Sequence, residues 1–166
     1  MQAAVPVGEG GMIACLGLDN EQLNWLCEWT IKNSTFKPLS PANYNSPGQV
    51  VISGSQKALN WLIKNFKAEE VPGSPKRAKL IPLVVSAPFH CALMKPAEEV
   101  MRQTLTNMKF KDAQFPIVQN YHGKSETKAE PLRENLILQV SAPVLWSQSM
   151  QNLKEQGLNL MIECGH

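Results

Sequence analysis

His90 is the residue of this sequence whose neighbours best suit proton transfer, and it lies in the run SAPFHCALMKP, Ser86 to Pro96. An imidazole exchanges protons near neutral pH, so a histidine presented by a rigid turn can act as a general base. The apolar run Leu80 to Val85 predicts a buried strand, and Ala87-Pro88 breaks it. Behind the histidine, Leu93, Ala97, Val100, Met101 and Leu105 fall at helical spacing. His90 is therefore expected on a strand-to-helix turn, although composition alone leaves a histidine that merely caps a turn as an equal reading. Cys91 beside it is a poor nucleophile candidate, because consecutive residues at a helix start point in different directions. His90, His122, Cys91 and Cys164 show no finger-like spacing, so no metal site is predicted.

The elements that must position His90 follow from the rest of the chain. Its 166 residues, 43% hydrophobic and 18% charged, suit one ordinary core or two small subdomains and argue against disorder. A net charge of +2, spread along the chain, gives no field that calls for nucleic acid or an anionic membrane. No apolar run approaches the roughly 20 residues a spanning helix needs, and no signal-peptide pattern opens the sequence, so a cytoplasmic protein is expected. Cys15, Cys27, Cys91 and Cys164 are widely spaced and read as reduced, mostly core residues rather than a disulfide framework.

After a lead-in over residues 1–10, Met12 to Leu18 reads as a strand and Asp19 as the N-cap of a helix carrying Leu23, Leu26, Cys27 and Ile31. Phe36 to Tyr44, broken by Pro38 and Pro41, reads as an irregular edge strand that turns at Asn45-Ser46-Pro47-Gly48 into the strand Gln49 to Ser53. A helix with Leu59, Leu62, Ile63 and Phe66 then leads through the loop Val71 to Pro75 to the strand before His90. This βαββαβ order is the split arrangement of ferredoxin-like domains. Beyond it the pattern gives a helix over Met94 to Met108, a short strand Phe115 to Gln119, helices Pro131 to Val140 and Val144 to Gln156, and a last strand Asn159 to Cys164. Those later elements suit an α/β layer with too few strands to close on itself. Trp25, Trp29, Trp61 and Trp146 are expected in the core or at a subdomain boundary.

Three runs, SPANYNSPGQVVISG from Ser40 to Gly54, SAPFHCALMKP, and QVSAPVLW from Gln139 to Trp146, resemble in order and spacing the bacterial malonyl-CoA:acyl carrier protein transacylases. The resemblance implies an α/β fold in which an α/β-hydrolase-like acyltransferase subdomain is interrupted by a ferredoxin-like one. Residues 1–10 would then belong to the large subdomain, 11–86 to the ferredoxin-like βαββαβ unit, and 87–166 to an incomplete C-terminal part of the large subdomain. It further implies malonyl transfer from malonyl-CoA, through a serine acyl-enzyme, to the phosphopantetheine thiol of acyl carrier protein in fatty acid biosynthesis, with no metal and no cofactor of the enzyme's own. By the same resemblance His90 is the base, the backbone carbonyl of Gln139 orients it, and Asn45 and Gln49 lie near the acyl pocket as polar contacts or loop braces. Phe89, where related domains that take methylmalonyl carry Ser, implies preference for malonyl.

The departures from that pattern are as informative. The 166 residues contain no Gly-His-Ser-Leu-Gly nucleophile elbow, no Gln-Gly oxyanion loop and no counterpart of the malonate-binding arginine, and His166 stands where Pro is usual. The expectation is a fragment that carries the base but is inactive alone, with the missing N-terminal half as a further partner. The alternative is a non-catalytic docking module for acyl carrier protein, whose acidic surface would meet Lys76, Arg77 and Lys79. RNA binding on the sheet is not expected, since no basic and aromatic signature marks Gln49 to Ser53 or Leu80 to Val85.

Overall fold

The computed structural model describes residues 2–165, with Gln2 as backbone only; Met1 and His166 lie outside the described residues. Strand β1 (Gly10–Leu16) is followed by helix α1 (Asn20–Ser34), hairpin strands β2 (Leu39–Ser46) and β3 (Gln49–Ser55), helix α2 (Gln56–Asn65) and strand β4 (Lys79–Pro82). The four strands form one antiparallel sheet in the order β2-β3-β1-β4. Both helices begin at side-chain caps that satisfy otherwise unpaired amides. The Asp19 carboxylate accepts from the Gln22 amide at 2.8 Å while the Gln22 side chain accepts from the Asp19 amide at 3.0 Å, a reciprocal capping box. Ser55 Oγ accepts from the Ala58 amide at the start of α2.

Alternation along the strands sends Ile13, Cys15, Val50 and Ile52 to one face, where they pack against Leu23, Leu26, Leu59 and Leu62 from the two helices. The opposite face is covered differently. Met12, Ala42 and Val51 are buried there, with Ala14 and Phe89 packed against them. Phe89 also joins a second cluster built on Val5, Ala87, Met94 and Val140, so its ring ties the sheet to the C-terminal half. Pro88 lies so close to Gly10 that any side chain at that strand position would collide with the proline ring.

The C-terminal half holds α3 (Lys95–Thr106), the two-residue strands β5 (Ile117–Val118) and β6 (Ser125–Glu126), α4 (Ala129–Leu138) and α5 (Trp146–Glu155). It is laced to the edge of the sheet by backbone hydrogen bonds: the Tyr44 amide donates to the Val144 carbonyl at 2.9 Å and the Val144 amide to the Ala42 carbonyl at 2.8 Å. That contact partly covers edge strand β2, whose amides would otherwise be free to pair elsewhere. No helix among the described residues is long and apolar enough to cross a membrane.

Four expectations are corrected. The apolar run before His90 is a strand only over Lys79–Pro82, and it is not buried: β4 lies at the edge of the sheet, Ile81 is 45% exposed, Val84 wholly so, and Leu83 and Val85 only partly covered. Asn159 to Cys164 forms no strand, since no other strand lies beside it, and Leu160, Met161 and Ile162 are exposed. α4 starts at Ala129, two residues before Pro131, and β6 supplies a partner for β5 that the pattern did not signal. Of the four tryptophans Trp146 departs from the core, being exposed, whereas Trp25 and Trp29 pack against the main core and stack in a row with Trp61, with ring centroids 5.7 Å and 5.1 Å apart.

The backbone predicts two classes of amide exchange. Amides of Ile13, Leu26 and Ile52, inside the sheet and α1, should exchange slowest. Those of residues 159–165 donate to no backbone carbonyl among the described residues and should exchange in the fastest class. Slow exchange across 159–165 would contradict the fold described here.

Candidate active site

The turn that carries His90 is fixed from both sides. Ala87, Pro88 and Cys91 are buried, the Phe89 amide donates to the Ala87 carbonyl at 3.0 Å, and the Met94 amide donates to the Cys91 carbonyl at 2.9 Å. Between these anchors His90 adopts the left-handed conformation, with φ of 58°. For a residue with a Cβ that conformation costs on the order of 1 to 2 kcal/mol, and it persists because the neighbouring anchors determine it.

The strained turn aims the imidazole at the C-terminal end of α4. Nδ1 lies 3.0 Å from the carbonyl oxygen of Gln139 and 3.2 Å from that of Ala142. Carbonyl oxygens only accept, so the neutral ring carries its proton on Nδ1 and keeps a lone pair on Nε2. Gln139 caps α4, and a carbonyl at that point has no amide one turn further on to receive. A helix end thereby supplies the acceptor that a carboxylate provides in many base-orienting arrangements. The arrangement suits Nε2 to take a proton from a hydroxyl or thiol and return it.

Of the other residues singled out from the sequence, Phe89 adjoins His90 as a half-buried wedge between two apolar clusters. Gln139 lines a cavity of about 680 Å³ with Phe110, Leu132 and Leu136, and its hydrogen bond with His90 is made by its backbone carbonyl. Asn45, half-buried, lines a separate cleft of about 900 Å³ with Asn20, Asn24, Tyr44, Leu145 and Lys154. Gln49 is exposed at the start of β3, paired across the ladder with Leu16 and Ser46. Thus His90, Gln139 and Phe89 come together, while Asn45 and Gln49 share neither a hydrogen bond nor a cavity with His90 among the described residues. Sequence reasoning missed Ala142. Its only signal was membership of the QVSAPVLW run, because an alanine contributing a carbonyl has no chemical signature of its own.

The buried cysteines are poor nucleophiles. Cys91 is buried and its thiol donates to the Pro88 carbonyl at 3.2 Å. Burial pushes the Cys15 thiol up to about 12 and the Cys27 thiol further still, so both remain protonated and unreactive at neutral pH. Cys164 is exposed.

The double packing of Phe89 sets a stability test. Phe89→Ala should lower the unfolding free energy by about 2 to 3 kcal/mol, less than for a fully buried ring. Phe115, 69% exposed, should cost little when truncated the same way. Equal midpoints for the two variants in urea titrations would show that Phe89 is not the wedge.

No family model matches the chain. Over 165 residues it is 40% identical to the malonyl CoA-acyl carrier protein transacylase of Salmonella typhimurium, covering 99% of this chain and 50% of that protein. The same comparison gives 36% identity with the transacylase of Staphylococcus aureus (strain COL), covering 99% of this chain and 51% of the relative. Among solved structures, FabD from Acinetobacter baumannii superposes with a TM-score of 0.86 at 36% identity over 99% of this chain and 50% of its own. A malonyl-transacylase solved in complex with a type II PKS acyl-carrier protein gives 0.81 at 41% identity, over 95% of this chain and 48% of the matched one. The chain spans about half the length of the curated relatives it matches.

Proposed function

We propose that this chain, a homologue of the bacterial malonyl CoA-acyl carrier protein transacylases, carries the proton-transfer part of an acyltransferase that moves malonyl from malonyl-CoA to the phosphopantetheine thiol of acyl carrier protein in cytoplasmic fatty acid synthesis. The observation that supports this is the imidazole of His90, held at Nδ1 by the Gln139 and Ala142 carbonyls so that Nε2 is left as the base. In the first half-reaction Nε2 accepts the proton of a serine hydroxyl as that oxygen attacks the thioester carbonyl, then gives it to the departing CoA sulfur. In the second, Nε2 takes the proton of the phosphopantetheine thiol as its sulfur attacks the malonyl ester, and returns it to the serine oxygen. The chain ends each cycle unchanged, and no metal or resident cofactor enters these steps.

The nucleophile elbow and the arginine for the malonate carboxylate are not among these 166 residues, so on this reading another stretch of polypeptide provides them. The same reading takes residues 11–86 as the ferredoxin-like small subdomain, supported by the strand order β2-β3-β1-β4 with α1 and α2 on one face, and residues 87–166 as part of the larger acyltransferase subdomain. Lys76, Arg77 and Lys79, exposed before and at the start of β4, would present positive charge to an acidic carrier protein. Phe89 would restrict the space for an α-methyl group.

The test is malonyl transfer to acyl carrier protein by this chain combined with a polypeptide matching the first half of the Salmonella relative. We expect no covalent malonyl adduct on the chain alone, and transfer by the pair that falls about 10²- to 10⁴-fold on His90→Ala. Phe89→Ser in the same pair should raise use of methylmalonyl-CoA relative to malonyl-CoA. Transfer by the pair that is indifferent to His90→Ala would overturn the assignment of the base.

A further inference from the structure

The carbonyls that hold His90 must themselves be held. Gln139 and Ala142 stand on either side of Ser141 in the turn that follows α4. The Ser141 hydroxyl donates a hydrogen bond to the carboxylate of Glu98, which projects from α3 and is only 7% exposed. Lys95 donates to the same carboxylate at 2.7 Å, and Arg102 stands 3.9 Å from it. Arg102 in turn forms a two-pronged pair with Glu134 of α4, at 2.9 Å and 2.8 Å. A polar chain therefore runs from α3 to the body of α4 and to the turn beyond its end. Burial pushes the Glu98 carboxyl up, but hydrogen bonds from Lys95 and Ser141 with the Arg102 charge outweigh it and hold it below the ordinary carboxylate value, so it is ionised at neutral pH.

We infer that Glu98, acting through Ser141, is a positioning residue for His90: it fixes the turn whose two carbonyls lock the imidazole with its proton on Nδ1. Resting on the reading of His90 as the base, this adds a residue that touches neither the imidazole nor a reacting group. A carboxylate buried at this point has no evident packing purpose, since an apolar side chain would fill the same space without needing three partners. Charge-assisted hydrogen bonds are short and directional, which suits them to fix a backbone turn. Between the anchors at Gln139 and Val144, the backbone contacts left to the turn without the clamp are those of the Val140 and Ser141 amides, at 3.3 Å the long end of hydrogen-bond geometry.

The test uses the 166-residue chain and reads the nitrogen shifts and Nδ1-proton exchange of His90 by NMR in the parent, Glu98→Ala, Ser141→Ala and Glu98→Gln. Glu98→Ala and Ser141→Ala should mix the two tautomers and speed Nδ1-proton exchange about tenfold, the effect of losing one charge-assisted hydrogen bond. Glu98→Gln, which still accepts from Ser141, should keep the parent tautomer. A general loss of stability would lower the melting temperature without changing the tautomer, and if Glu98→Ala does not fold, Ser141→Ala decides. A fixed Nδ1-protonated ring in Ser141→Ala overturns the inference and leaves the base assignment standing. A parent ring without a fixed tautomer would instead overturn the base assignment.

Discussion

The bond from His90 Nδ1 to the end of α4 joins residues 49 positions apart in sequence, and most of the architecture between them serves to close it. An imidazole left to solvent samples both tautomers and many rotamers, and only one combination leaves Nε2 free and aimed. Here the ring is fixed by backbone groups at each end: a left-handed turn beneath it and the carbonyls of Gln139 and Ala142 before it. Backbone carbonyls bring no net charge to the imidazole, unlike the carboxylate that orients a histidine in many other arrangements.

The turn can sit where it does because the sheet has two differently clothed faces. Helices α1 and α2 cover one with a continuous aliphatic core, and the other receives Phe89, with Pro88 against Gly10. The ring of Phe89 is shared between the cluster on the sheet and the cluster around Met94 and Val140, so the residue beside His90 also couples the two halves of the chain. The bonds between Val144 and the edge of β2 make a second coupling a few residues from the carbonyls that hold the histidine.

How much of this was legible in the sequence depended on whether the signal was local. Asp19 as a cap, the helical spacing of Leu23, Leu26 and Cys27 and of Leu59 and Leu62, and the turn chemistry of Asn45 to Gly48 all report on nearest neighbours and located α1, α2 and the hairpin. The run Leu80 to Val85 misled because hydrophobicity records what a segment could bury and says nothing of how much lies over it; Ile81 is half exposed and Val84 wholly so. The strand expected at Asn159 to Cys164 failed for the same reason. At the site, His90 and Gln139 were found through their motifs, whereas Ala142 contributes only a carbonyl. Glu98 looks like one more charge on a solvated helix face until folding brings Ser141 to it.

The central claim is that His90 is held as a neutral ring protonated on Nδ1 with Nε2 free. It is tested most directly by the imidazole nitrogen shifts of ¹⁵N-labelled protein, recorded on the neutral ring. A ring locked by the two carbonyls gives a protonated Nδ1 whose signal keeps its proton coupling and an Nε2 shifted to the unprotonated range. Averaged shifts for the two nitrogens, as in free histidine, or a proton on Nε2, would contradict it.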